Sequence, residues 1–249
     1  MWECSILFQN SQEAENFIKA ISPYVKKNSG VVISVYFLSL TKVLLAIPES
    51  KHEEAYSYIK EKIAESILLT FKKKYILSRL DFDTNFSTNM MVFIQTLVCF
   101  DSDTDKKIIC EKISFKNSFC VDSFARFRLG ALLEKWNDLI LLANENIMYL
   151  LSEDSFTEFI KFLISNLDHR CYAVNVFSKN NCYFLCDLEG KRINDFLLDK
   201  SIAYDDSKLL TSLIALNPEK IILHANPFIK DKLLKKLYNF FMDRIELSK

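Results

Sequence analysis

The chain has 249 residues, enough for one large domain or two modest ones, and a core of that size forms without disulfides or metals. Apolar residues make up 50% and charged residues 26%, a balance that indicates a globular protein and excludes a disordered one. Lys plus Arg and Asp plus Glu are equal at 32 each, so net charge attracts the chain neither to nucleic acid nor to anionic lipid. Gly and Pro number only 3 and 4, which favours helices over an all-β fold.

The N-terminus and the cysteines indicate the compartment. Met1 to Phe8 lacks the basic start, apolar stretch and small-residue cleavage site of a signal peptide. The longest charge-free run, Thr84 to Phe100, contains Asn, Gln and hydroxyl groups, so we expect a buried helix and no membrane insertion. The seven cysteines are odd in number and scattered, which predicts reduced thiols in a cytoplasmic protein.

Residues 1–80 alternate short apolar runs with helical periodicity. The predicted elements are a strand at Cys4–Phe8, a helix from Ser11 that ends before Pro23, a buried strand at Val31–Leu38, its hairpin partner at Thr41–Ile47, and a helix opened by Glu49. This β-α-β-β-α order predicts a small α+β unit.

Residues 81–168 have mainly helical patterns. Met90–Cys99 is strongly apolar and fits a helix or a strand. The acidic run from Asp101 to Asp105 resembles a calcium loop, but Lys106 and Lys112 occupy the places of the required Gly and Glu. We therefore expect an acidic loop that caps the next helix. Apolar residues at spacings of three and four predict a long amphipathic helix over Asp122–Leu151, and a second helical stripe follows.

Residues 169–249 return to alternating elements. The predicted elements are strands at Tyr172–Phe177 and Cys182–Asp187 joined by a turn at 179–181, a helix at Asp205–Leu216, a strand at Ile221–Leu223, a helix from Pro227, and a last strand at Arg244–Leu247. Helix crossovers between strands follow from this order. The whole chain is therefore predicted to be α+β (mixed α/β), with an N-terminal α+β unit (1–80), a helical middle (81–168) and a C-terminal α/β portion (169–249).

Three stretches in the second half are specific in combination. They are VDSFARFRL at Val121–Leu129, DSFTEFIKFL at Asp154–Leu163, and LLTSLIALNPEKIILH at Leu209–His224. In order and spacing they resemble the YtxC-like family of sporulation proteins from spore-forming Gram-positive bacteria, over roughly residues 118–249. The resemblance implies a role in endospore formation and a cytoplasmic setting. It implies no reaction and supplies no catalytic residue.

Two thiols and one histidine are candidates for chemistry in the C-terminal portion. Cys182 and Cys186 lie four apart on a predicted strand and face the same side, as half of a zinc site would, with His169 and Cys171 as conceivable further ligands. The alternative, which leaves the protein without a metal, is that both thiols are small apolar residues of a sheet.

His224 follows a predicted core strand, at the end where ligands bind in open α/β folds. An enzyme would need a carboxylate beside it, and Asp187, Asp205 and Asp206 are the candidates. The alternative is a strand-end histidine that bonds a loop. No catalytic residue and no cofactor are assigned.

Basic and aromatic residues alternate at the start of the predicted long helix. Arg126 and Arg128 lie among Phe124 and Phe127, a combination that binds single-stranded nucleic acid in other proteins. The alternative is a helix with both Phe inward and both Arg in solvent. The lysines at 72–74 and 230–236 are expected to solvate outer helix faces. The three glycines are isolated at 30, 130 and 190, so a glycine-rich phosphate loop is excluded.

From these observations we expect a non-catalytic binding or regulatory module that contacts another protein. The alternative function is that of an enzyme with a site near His224 and Cys182/Cys186. A single-stranded nucleic-acid binder that uses Arg126 and Arg128 is the third.

Overall fold

The computed structural model of the chain describes residues 1–37, 39–81, 88–145, 153–180, 182–198, 203–224 and 231–248. The helices are α1 (Ser11–Lys27), α2 (His52–Ser66), α3 (Lys73–Leu77), α4 (Thr88–Cys99), α5 (Ser102–Lys112), α6 (Val121–Arg128), α7 (Gly130–Glu145), α8 (Glu153–Ser165), α9 (Asp206–Leu216) and α10 (Asp231–Phe241). The strands are β1 (Trp2–Phe8), β2 (Val32–Phe37), β3 (Thr41–Ile47), β4 (Ser118–Cys120), β5 (Ala173–Lys179), β6 (Cys182–Cys186), β7 (Lys220–His224) and β8 (Ile245–Ser248). A π-helical segment, Ile67–Lys72, joins α2 to α3, and 3₁₀ turns lie at Glu49–Lys51 and Met242–Arg244.

Helices and two small mixed sheets make this an α+β protein, as predicted. Among the described residues, no helix combines the length and the apolar character needed to cross a membrane. The residues group into two compact units, one made of Met1–Ser78 with Ser102–Asp138 and the other of Arg79–Asp101 with Leu139–Lys249. The predicted domain boundaries after residues 80 and 168 stay a prediction.

The sheet of the first unit has the strand order β2-β3-β1-β4. Its pairs are antiparallel except β1–β4, which is parallel. Alternate side chains of β1 and β3, among them Ile6 and Val43, are buried on one face. Helix α1 packs on this face, where the ring centroids of Phe8 and Phe17 lie 5.2 Å apart. The period of two in the strands therefore directs one apolar face of the sheet toward helices.

A strand forms within Val31–Leu38 as predicted, but the prediction that it is buried is wrong. β2 is an edge strand, and Val32, Tyr36 and Phe37 are exposed, while Leu38 lies outside the described residues. β-branched and aromatic residues favour edge and central strands alike, so composition alone could not decide between them.

Helix α1 continues past Pro23 to Lys27, although the sequence predicts an end before the proline. Proline removes one main-chain hydrogen bond and crowds the preceding turn, which normally ends a helix. Tyr24 lies just beyond it, is buried, and stacks on Tyr58 with 4.8 Å between ring centroids. Tertiary packing of this last turn offsets the local cost of the proline.

The predicted helix over Asp122–Leu151 is two helices, α6 and α7, that break at Leu129. The buried Leu129 has φ −106° and ψ 27°, and its carbonyl accepts the first hydrogen bond of α7, from Leu133 N–H at 2.9 Å. Gly130, which follows, weakens the helical preference at this point. The spacing of apolar residues continues through the break, so periodicity could not detect it. Residues 146–151 lie outside the described part of the chain.

A buried ion pair joins three helical segments of the first unit. Lys72 ends the π-helical segment, Asp105 belongs to α5, and both side chains are fully buried with Nζ and Oδ2 2.8 Å apart. Trp136 Nε1 of α7 donates to the same oxygen at 2.8 Å, and Lys135 Nζ donates to Oδ1 at 2.9 Å. The carboxylate thus accepts three hydrogen bonds, the condition under which a charge can remain in a protein interior.

This pair corrects two sequence predictions. The run Lys72–Lys74 is expected in solvent, yet Lys72 is buried against Asp105. Asp101–Asp105 is expected as a loop before a helix, yet α5 begins at Ser102 and Asp105 lies in its first turn. Each side chain has an ordinary explanation in its own segment, and only the contact between segments shows their shared role.

The sheet of the second unit has the order β6-β5-β7-β8, with β5, β7 and β8 parallel and β6 antiparallel to β5. In chain order α9 lies between β6 and β7, and α10 lies between the parallel strands β7 and β8. Alternate residues of β5 and β7 are buried on one face of the sheet, namely Val174, Val176, Ile221 and Leu223. The strands and the helix predicted in this portion are confirmed within two residues, while Asn181 and Pro227 lie outside the described residues.

Asn217 ends α9 and connects it to two other segments. It adopts the left-handed conformation (φ 39°, ψ 56°) and is only 1% exposed. Its Nδ2 donates to the carbonyl of Ile164, in the last turn of α8, at 3.2 Å, and to that of Leu167, just beyond α8, at 2.7 Å. Its Oδ1 accepts from Arg244 Nη1 at 2.6 Å. One side chain thereby connects the end of α9 to the end of α8 and to Arg244.

We expect Asp105→Asn to lower the free energy of unfolding by about 3–5 kcal/mol, because the buried Lys72 ammonium loses its counter-charge. Urea denaturation monitored by circular dichroism measures this change. As a control, Asp122→Asn removes the exposed ion pair with Arg126 and costs less than about 1 kcal/mol. Adding Lys72→Met to Asp105→Asn recovers part of the loss, and strict additivity of the two substitutions would contradict the coupling.

For Asn217 we expect Asn217→Gly and Asn217→Ala both to destabilise the protein. Both remove the side-chain hydrogen bonds to buried carbonyls. Alanine keeps a β-carbon, which is strained in the left-handed conformation, whereas glycine has none. The alanine variant should therefore be less stable than the glycine variant by about 1–2 kcal/mol. Thermal and urea unfolding of the two variants give this difference, and equal stabilities would show that the backbone conformation is not retained.

Candidate functional site

His224 lies at the carboxyl end of β7, as the sequence predicts, between the parallel strands β5 and β8. The strand registers place it on the same face as Asn175 and Phe177 of β5. The imidazole is half-buried and stacks on the Phe177 ring, with 4.1 Å between centroids and 12° between planes. The aromatic contact and the adjacent strand hold the ring in one orientation.

A chain of hydrogen bonds sets the tautomer of this imidazole in its neutral form. Asn175 Nδ2 donates to the Asp187 carbonyl at 2.8 Å, so Asn175 Oδ1 faces His224 Nε2, also at 2.8 Å. An amide oxygen only accepts hydrogen bonds, and therefore Nε2 carries the proton. In the neutral ring Nδ1 is then the unprotonated nitrogen. The arrangement offers Nδ1 as a hydrogen-bond acceptor or proton acceptor.

Two carboxylates suggested as partners of His224 have other contacts. The Asp187 side chain accepts the backbone N–H groups of Glu189 and Lys191, at 2.9 and 2.8 Å. Asp205 Oδ1 accepts Lys208 N–H at 2.8 Å and caps α9. Asp187 is nevertheless connected to His224, through its main-chain carbonyl and the Asn175 amide.

Cys182 and Cys186 share the half-buried face of β6 but are not close together. Four residues of strand separate their α-carbons by about 13 Å, too far for a single zinc ion. Strand β5 lies between β6 and the His224 strand. Burial, followed by the charge of Asp187, raises the pKa of the Cys186 thiol, which disfavours the thiolate that metals and electrophiles require.

His169 and Cys171, the further residues considered as zinc ligands, are also unsuited to that role. His169 Nδ1 bonds the Asn217 carbonyl at 2.6 Å, and burial raises the pKa of Cys171 to about 11. Within the described ranges, no three His, Cys, Asp or Glu side chains form a group suited to a metal ion. The structure does not bring the residues suggested for zinc into one site.

Helix α6 separates the two phenylalanines that the sequence places together. Phe124 is buried, with its ring centroid 5.0 Å from that of Phe119, whereas Phe127 is 81% exposed. The expectation that both Phe face inward is therefore wrong for Phe127. Arg126 and Arg128 are exposed on either side of it, and Arg126 Nε bonds Asp122 Oδ2 at 2.7 Å. The last turn of α6 thus presents one apolar ring between two cations.

The model of the YtxC-like family matches residues 53–246. The chain belongs to this family. No curated protein matches the sequence, and no solved structure matches it either. The family match contains the last turn of α6, the His224 cluster (His224 with Asn175 and Phe177) and the buried Asp105. It begins after the first three strands. It also extends well upstream of residue 118, where the resemblance in the sequence begins.

Within this YtxC-like chain, sequence reasoning missed Asn175, which orients His224. A signal was present, because Asn has a low preference for strands and here stands between two valines. It also missed Asp105 as the centre of a buried network. No local signal identifies that role, since an aspartate in the first turn of a helix is common on protein surfaces.

We expect the neutral His224 side chain to be protonated at Nε2. In Asn175→Ala the amide partner is lost, and both tautomers should appear. Long-range ¹⁵N–¹H correlation spectra of the histidine side chains distinguish these states.

His169 provides an internal control, because its Nδ1 faces a carbonyl and must carry the proton. Its tautomer should not change in Asn175→Ala. A wild-type His224 protonated at Nδ1 would refute the hydrogen-bond chain through Asn175.

Proposed function

We propose that this YtxC-like protein is a non-catalytic binding module that acts in the cytoplasm during endospore formation. Family membership supports the process, since the resemblance in the sequence implies sporulation. All seven cysteines are free thiols, the state expected in a reducing compartment. The binding element we propose is the last turn of α6, namely Arg126, Phe127 and Arg128.

The exposure of Phe127 is the observation that carries this proposal. A phenyl ring that is 81% exposed gains nothing from the hydrophobic effect in the free chain. The same ring would bury apolar surface in a complex and contribute to its stability. Exposed apolar residues occur singly on many proteins, whereas Phe127 lies between two exposed arginines.

The two arginines define the partner that this turn suits. Arginine and aromatic side chains are enriched at the centres of protein interfaces. The Asp122 carboxylate holds Arg126 at its Nε, which leaves the outer guanidinium nitrogens for further bonds. A partner that complements the turn would combine an apolar pocket for Phe127 with acidic side chains for the arginines. We therefore propose a protein with an acidic surface as the partner.

The test is a comparison of captured proteins from sporulating cells. Wild-type chain, Phe127→Ser and Arg128→Glu are immobilised, and retained proteins are identified by mass spectrometry. We expect at least one acidic protein to be retained by the wild type and lost by about tenfold with each variant, the loss expected for a central interface residue. Phe162→Ser is the matched control, because Phe162 is an exposed phenylalanine of α8.

Equal capture by all four proteins would refute a role for the α6 turn in protein binding. Retention of single-stranded nucleic acid that weakens with added salt and with Arg128→Glu would favour the nucleic-acid alternative. The Phe162→Ser chain should behave as the wild type in either case. Folding of each variant is checked by its unfolding midpoint.

The His224 cluster supports a second candidate function, a ligand or catalytic site at the carboxyl edge of the second sheet. Asn175 leaves His224 Nδ1 as a hydrogen-bond acceptor at the edge where open α/β sheets bind ligands. A ligand that donates an N–H or O–H group to Nδ1 would shift the Nδ1 resonance in long-range ¹⁵N–¹H correlation spectra. A spectrum that no cell-derived small molecule changes would count against this site.

A further inference from the structure

The sheet of the first unit has a second face, directed away from α1. Strand registers assign to it the side chains that alternate with those facing α1. They are Glu3, Ser5 and Leu7 of β1, Val32, Ser34 and Tyr36 of β2, and Lys42, Leu44 and Ala46 of β3. A sheet face in water is normally polar, but Glu3 and Lys42 are the only charged members of this set.

Several apolar side chains of this face remain accessible. Val32 is 54% exposed and Tyr36 is 49% exposed, while Leu7, Leu44 and Ala46 are half-buried. The face therefore presents five apolar or aromatic side chains, interspersed with two serines and the two charges, across three paired strands, and of the serines Ser5 is buried. Apolar patches of this kind mark contact surfaces more often than isolated exposed residues do.

The two charges lie at opposite ends of the face. Glu3 is paired with Ala46, and Lys42 is paired with Leu7, so the two levels are four residues apart along the strands. That separation is about 13 Å. Within the described part of the chain, Glu3 and Lys42 take part in none of the ion pairs.

We propose that this face binds a second copy of the chain, in a two-fold symmetric dimer with the two sheets face to face. A two-fold axis in the interface and perpendicular to the strands reverses the strand direction of the partner copy. The acidic end of each face then lies opposite the basic end of the other. Each Glu3 contacts Lys42 of the other copy, and the two contacts are equivalent, as symmetry requires.

Charge complementarity favours a second copy of the chain as the occupant of this face. The face presents one anion and one cation, and a two-fold rotation matches them without any further partner. The whole chain has equal numbers of positive and negative residues, so net repulsion between copies is absent. Face-to-face packing of two sheets with nearly aligned strands is a common arrangement.

The size of the face indicates a weak dimer. Three strands of six or seven residues make a patch of roughly 20 by 15 Å. Standard protein interfaces bury about 800 Å² on each partner, which this patch does not reach. We therefore expect association that depends on concentration, with a dissociation constant in the micromolar range. The face precedes the range matched by the family model, and it contains no residue of the α6 turn.

Sedimentation velocity of the full chain over about a hundredfold range of concentration around a micromolar Kd tests the dimer. Glu3→Lys and Lys42→Glu each place like charges opposite one another twice, so each should weaken dimerisation by about tenfold. The combined Glu3→Lys/Lys42→Glu chain restores both attractions with the signs exchanged. We expect it to dimerise with an affinity close to that of the wild type.

The matched control reverses Glu15 and Lys19, exposed residues of α1 on the other side of the sheet. These reversals change net charge identically and should leave dimerisation unchanged. A chain that stays monomeric, or a dimer that is insensitive to the Glu3 and Lys42 reversals, would overturn the proposal. So would a monomer whose face variants lose a different protein partner. Rescue by the double reversal also excludes misfolding as the cause of the single-variant losses.

Discussion

Asp105 places a negative charge in the interior of the first unit, and the arrangement of the surrounding helices depends on how that charge is satisfied. Its three donors are Lys72 of the π-helical segment and the neighbours Lys135 and Trp136 of α7, two segments that are distant in sequence. Apolar packing tolerates small shifts of helices. A shift that separated the buried carboxylate from its donors would leave a buried charge without compensation, which is strongly destabilising. The rings of Phe71 and Tyr75 pack around Trp136, at 6.5 and 5.9 Å between centroids, and the Lys72 and Asp105 side chains are fully buried.

The second unit also depends on a buried polar residue, which in this case is neutral. Asn217 ends α9, and its amide bonds both the end of α8 and Arg244 near the last strand. These buried hydrogen bonds hold the interior of each unit. The binding that we propose uses a surface side chain that the interior does not need, the ring of Phe127. In this protein the residues that stabilise the fold and those proposed to bind a partner are thus largely separate.

Much of the fold was predictable because local patterns carry it. Thr41–Ile47 is a strand with the predicted bounds, and the helix before Asn217 was predicted from its spacing and its proline stop. The misses have a common cause, since tertiary contacts override local preference. Pro23 lies inside a helix because Tyr24 packs beyond it, and Phe127 faces solvent while Phe124 packs on Phe119 in the core.

The sequence by itself determined the α+β class, most strands and helices, the family, and the position of His224 at the end of a strand. Hydrophobic periodicity and turn residues act over a few neighbours, so these features can be deduced without coordinates. Only the tertiary structure decided that Lys72 and Asp105 are partners, that Asn175 orients His224, and that the Cys182 and Cys186 thiols lie apart. Each of these depends on a distance between separate segments or on strand extension, and a distance in space is not encoded in local spacing.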